Sequence, residues 1–99
     1  MNFKGEGVPQ DDAKAVHFFR KAAEQGDEEG LYQLGVMYAK GRGVKQSDIE
    51  AYAWWVAAAF NGSTNAANAF TTLATYMSQR DIAKAKKLAK KYWIKYALK

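Results

Sequence analysis

Apolar side chains recur at steps of three and four along most of this chain, which is the period of one helix face. Ala15, Phe18, Phe19, Ala22 and Ala23 predict a helix over about 12–25. Asp12 caps or stabilises its start, and Gly26 ends it at a site suited to positive φ. Leu31, Leu34, Met37 and Tyr38 predict a second helix over about 28–39. The pattern then returns over about 48–61 and 64–77. A fifth helix follows over 78–97, with Ile82, Ala85, Leu88, Ala89, Tyr92, Trp93 and Tyr96 on one side and lysines on the other. Ser78 is its predicted N-cap, and Asp81 completes an approximate capping box with Asp in place of Glu. One apolar side and one solvated side is the pattern of a terminal cap.

The return of the pattern is an internal repeat. Gly5-Glu6-Gly7-Val8 reappears as Gly41-Arg42-Gly43-Val44, an offset of 36 residues. Asp12 is matched by Asp48, Ala15 by Ala51, Phe18-Phe19 by Trp54-Trp55, Ala22-Ala23 by Ala58-Ala59 and Gly26 by Gly62. Nine of the 22 positions from 5 to 26 are identical to their partners. Further on the character persists, with Leu34 matched by Phe70 and Met37 by Leu73. A period of this length holds two helices and two turns and marks a solenoid. The fold expected is all-α: a right-handed α/α solenoid of two 36-residue helix-turn-helix repeats with a C-terminal capping helix. Residues 1–99 form a single domain, divided into repeat one over 5–40, repeat two over 41–77 and the cap over 78–97. Gly30 and Gly35 are poor helix formers, costing roughly 1 kcal/mol each against alanine. Their expected reason is close approach of backbones between helices.

The glycine turn, Asp12, Ala15, Phe18-Phe19, Ala22-Ala23 and Gly26, continued by Leu34-Gly35-Val36-Met37-Tyr38 and Gly41-x-Gly43-Val44, resemble the Sel1-like repeat family, relatives of the tetratricopeptide repeats. The resemblance covers nearly the whole chain. It implies a concave face built mainly by the first helix of each unit, and adaptor or scaffold work between proteins, not catalysis. The second unit departs from the family pattern: Val16, Arg20, Lys21 and Glu24 are matched by Tyr52, Val56, Ala57 and Phe60. Only two units and a cap are present, where about three repeats are usual for stability. Either the cap helix stands in for a third unit, or the first helix is partly exposed, which predicts self-association or excision from a longer protein.

Composition narrows the chemistry. The 99 residues hold no Cys and one His, which excludes disulfides, thiolate-bound zinc and any site with two imidazoles. That also sets the chain apart from the cysteine-bearing members of the family. No catalytic, metal or cofactor residues are expected. Gly5-x-Gly7 and Gly41-x-Gly43 lack the third glycine and the Lys-Ser/Thr of a phosphate loop. No run approaches the roughly 20 apolar residues of a membrane span, and no leader is visible. The chain as it stands reads as cytoplasmic, with a secreted or periplasmic origin left open if a signal peptide was removed.

Two surfaces are candidates for partner binding. Tyr52, Val56 and Phe60 lie four apart on one face of the third helix. The cap helix covers that stripe, or the stripe floors a groove for another protein. His17, Arg20, Lys21 and Glu24 on the first helix are polar candidates, against the plainer reading of a solvated face. Net charge is +5, and it is uneven: residues 1–49 carry seven basic and eight acidic side chains, residues 50–99 eight and two. Lys84, Lys87 and Lys91, with Lys86, Lys90 and Lys95 beside them, form a basic face. Such a face suits an acidic protein surface, or weak salt-dependent nucleic-acid binding. The leading expectation is a protein-interaction module. The alternatives are an inhibitory or immunity-type protein with one enzyme partner, and weak nucleic-acid binding by the lysine helix.

Overall fold

Residues 9–97 are described by the computed structural model, with side chains over 12–96. Five helices follow one another: α1 (Pro9–Glu24), α2 (Glu28–Lys40), α3 (Asp48–Phe60), α4 (Thr64–Ala74) and α5 (Gln79–Tyr92), the last running into a π turn, Trp93–Ala97. The architecture is an all-α repeat solenoid of stacked helical hairpins with an extra C-terminal helix. The first glycine turn, Gly5-x-Gly7, lies outside the described residues.

Local chemistry sets the helix starts. A side-chain oxygen at each N-cap accepts the backbone N–H three residues on: Asp27 from Gly30 at 3.2 Å, and Ser47, Ser63 and Ser78 from Glu50, Ala66 and Asp81, each at 3.1 Å. Each bond satisfies a donor that the helix itself leaves unpaired. α1 is already helical at Pro9, three residues before the expected start at Asp12. Asp12 is therefore no cap; its carboxylate pairs with Arg42 at 2.9 Å. α4 stops at Ala74, short of the expected Met77, as Thr75 to Met77 turn into the Ser78 cap. At the end of α2, Gly41 adopts φ 67° and its N–H bonds to the Met37 carbonyl.

The core centres on α3. It packs against α2, α4, α5 and the π turn, and seven of its residues are buried, from Ala51 to Ala58. Alanines at 51, 53, 57 and 58 let three neighbours approach, while Trp54 and Trp55 fill the space on either side. This explains the departure of the second unit from the first. α1 has α2 and the π turn as its main neighbours, so positions such as Lys21 and Glu24 remain at the surface. The matching Ala57 is fully buried because α3 is enclosed.

Phe18 corrects the sequence-based placement on the packing side: it is 66% exposed. Its repeat partner Trp54 is 1% exposed because Tyr92 stacks on the indole at 4.0 Å and Tyr96 closes the edge at 5.5 Å. Among the described residues no such layer lies over Phe18. Gly30 and Gly35 do mark close approaches. A Cβ on Gly30 would meet Ala22 of α1 at 2.6 Å, and one on Gly35 would enter the Trp55 indole of α3.

Candidate partner-binding groove

The four-residue spacing of Tyr52, Val56 and Phe60 puts them in a line along α3, and the structure divides the two readings of that line. Tyr52 is buried, Val56 half-buried and Phe60 68% exposed. Phe70 of α4 packs against the buried Tyr52 end, and the Phe60 end is open to solvent. Between α3, α4 and α5 lies a cleft of about 420 Å³. Tyr52, Val56 and Phe60 line it from α3, Phe70 from α4, and Ala89 and Trp93 from the C-terminal segment. Phe70 meets Tyr52 edge-on at 5.3 Å, and Trp93 lies 5.4 Å from Phe60. On the far side of the Val56–Phe60–Phe70 ridge a hollow of about 200 Å³ continues between α3 and α4. Lys86 and Lys90, one turn apart on α5, edge the main cleft.

Desolvation raises the Tyr52 hydroxyl above the ordinary tyrosine range, so it stays neutral. Behind the cleft, Tyr92 donates to Glu50 Oε1 at 2.7 Å. Burial first, and that hydrogen bond second, raise the Tyr92 hydroxyl well above its usual value.

The polar candidates are not brought to this cleft. His17, Lys21 and Glu24 lie on the exposed side of α1, together with Phe18. Arg20 points elsewhere: it is half-buried and donates to the Tyr38 hydroxyl at 3.2 Å, tying α1 to α2. Lys84, Lys87 and Lys91 are exposed on α5 and do not line the cleft. Phe70, Ala89 and Trp93 were not among the sequence-derived binding residues. Their spacing marks them as packing positions, and only the meeting of three helices turns their edges outward. A second, shallower cleft of about 470 Å³ lies on the other side of α4, lined by Tyr32, Trp55, Asn65, Asn68, Thr72 and Tyr76 among others.

Stacked helical hairpins around an enclosed third helix, with an aromatic cleft and no cluster of metal-binding side chains among the described residues, define a helical-repeat scaffold of the tetratricopeptide-like class. Within that class, the Sel1 repeat family model matches residues 1–27 and 28–63, and the chain belongs to this family. The two matched segments end 36 residues apart, and the second, 36 residues long, begins at the start of α2 and so is out of phase with the glycine turns. The chain is also similar to a solved structure, that of c5321, a protective antigen present in uropathogenic Escherichia coli strains and displaying an SLR fold. The two share 32% identity with a TM-score of 0.85 over 94% of this chain, which spans 20% of that protein's length. No curated protein sequence matches. Family and fold are those of non-catalytic repeat scaffolds typical of protein–protein interaction and adaptor modules. Among the described residues, no helix is long and apolar enough to cross a membrane.

Proposed function

We propose that the chain is a protein-binding adaptor and that the α3–α4–α5 cleft is its docking face. The observation that carries this is Phe60, a large aromatic side chain 68% exposed at the mouth of a cleft lined mostly by apolar side chains. Exposed aromatic patches of this kind mark interaction surfaces, and aromatic anchors dominate their energetics. The cleft is braced by Tyr52, Phe70 and Trp93, so a partner would meet a preformed surface and lose little to ordering it. The test is quantitative affinity capture with the parent chain, with Phe60→Ser and with Lys21→Ser. Proteins lost with Phe60→Ser but retained with Lys21→Ser support the assignment. Identical capture by all three refutes it.

Self-association is a second reading, favoured by the exposed Phe18 on α1. Sedimentation velocity tests it. A single 11.0 kDa species across micromolar concentrations removes it.

A further inference from the structure

We infer that the occupant of the α3–α4–α5 cleft is an acidic amphipathic segment of another protein: an apolar side chain seats against Phe60, and carboxylates flank it at Lys86 and Lys90. The inference rests on the docking role just proposed and adds the chemistry of the ligand.

Three observations converge on it. Lys86 and Lys90 are exposed, stand one helical turn apart and edge the cleft, yet no acidic side chain pairs with either among the described residues. Their stems add apolar wall to the cleft while the ammonium groups stay in water. The surroundings leave their charge uncompensated. α4 carries no charged residue, and over 64–97 seven basic residues face a single acidic one, Asp81. That acid sits in the first turn of α5, whereas the cleft is built from the second half of the helix and the π turn.

Shape selects among anionic ligands. The floor residue Tyr52 is buried at the bottom of a recess, so filling it takes a projecting side chain rather than a flat lipid surface. Phosphates have the equally exposed Lys84, Lys87 and Lys91 available, which do not line the cleft. The cleft joins an apolar seat to charges on its lip. A peptide segment with a hydrophobic anchor and acidic neighbours complements both. Opposite charge on the rim also steers encounter and rejects basic competitors.

The test selects ligands without assuming a sequence. A phage-displayed random dodecapeptide library is panned on the full chain, and the recovered peptides are synthesised. Their affinities are measured for the parent chain, for Phe60→Ser and for Lys86→Glu/Lys90→Glu. All three changed positions are exposed, and circular dichroism checks that each variant folds. The expected result is peptides with net negative charge and an apolar anchor. They lose binding with Phe60→Ser, bind the double lysine variant about tenfold more weakly or worse, and weaken with added salt. Phe60-dependent peptides that are neutral or basic, or that ignore the lysine reversal, overturn the acidic ligand and leave the docking face standing. Recovery of no Phe60-dependent peptide overturns both. Phosphatidylcholine/phosphatidylserine vesicles at 3:1 form a parallel arm. Binding to them that Phe60→Ser abolishes would overturn the assignment to a protein segment.

Discussion

Gly35→Ala isolates the packing of α2 on α3, one of the most extensive contacts in the molecule. In a free helix this substitution is favourable by roughly 1 kcal/mol, because glycine costs more backbone entropy than alanine. Here the added methyl would lie under 3.0 Å from Cδ1, Nε1 and Cε2 of Trp55. These are atoms in the middle of a rigid ring that is itself 7% exposed, so no flexible end can swing aside. Relieving the clash moves the indole away from Tyr32, whose carbonyl accepts from Trp55 Nε1 at 3.0 Å. Overpacking costs about 1–3 kcal/mol, and the weakened hydrogen bond adds about 1 kcal/mol. Set against the propensity gain, the net is a loss of about 1–3 kcal/mol. Urea unfolding followed by far-UV circular dichroism measures it. In thermal scans each kcal/mol lowers Tm by roughly 4–8 °C for a domain of this size. Combining Gly35→Ala with Trp55→Leu should cost less than the sum of the two single changes, because the cavity receives the methyl. A Gly35→Ala chain as stable as the parent, or more so, refutes the reasoning.

Three further predictions follow from the same packing. Trp54→Ala, at a fully enclosed side chain sandwiched against Tyr92 and Tyr96, should cost about 3–5 kcal/mol in the same urea assay. Ser63→Ala removes a buried N-cap acceptor from the Ala66 N–H and should cost about 1–2 kcal/mol, read as a lower unfolding midpoint. Tyr92 keeps its proton in the folded state above the pH at which an unfolded tyrosine, with a pKa of about 10, loses it. The folded state then binds more protons, so stability is full below pH 10 and falls as pH rises beyond it. Tyr92→Phe should cost about 0.5–1.5 kcal/mol at pH 7 through the lost bond to Glu50, and should flatten that alkaline fall. Unfolding midpoints between pH 7 and 11 report both effects.

Much of the architecture is legible in the residues because two codes agree in them. The 36-residue recurrence of glycine turns and paired aromatics defines the hairpin unit, and the three-four spacing defines each helix face. Ser78 was readable as a cap on the same logic. Ser47 and Ser63 play that part equally well, Ser63 directly after Gly62 and Ser47 ahead of Asp48, where the repeat match to Asp12 dominates the local signal. The unusual apolarity of α3 was visible as a departure from the repeat; its cause was not. Val56, Ala57 and Phe60 make sense only once α3 is seen between α2, α4 and α5, a fact of tertiary arrangement. Phe18 shows the converse. Its pattern is that of Trp54, yet burial depends on which element lies above, and only Trp54 has Tyr92 and Tyr96 over it. The Tyr52, Val56 and Phe60 stripe was nameable from spacing alone. Its opposite walls, Phe70, Ala89 and Trp93, come from two other elements, and no local pattern announces that they share a cleft.

The central claim is that this scaffold docks its partner in the α3–α4–α5 cleft. Amide and indole N–H chemical shifts of the 15N-labelled chain, titrated with a peptide recovered on the parent chain, test it most directly. Perturbations concentrated at Tyr52, Val56, Phe60, Phe70, Ala89 and the Trp93 indole are the predicted result. Shifts centred on His17, Lys21 and Glu24, or on the Asn65–Thr72–Tyr76 side of α4, with the cleft unmoved, would contradict it.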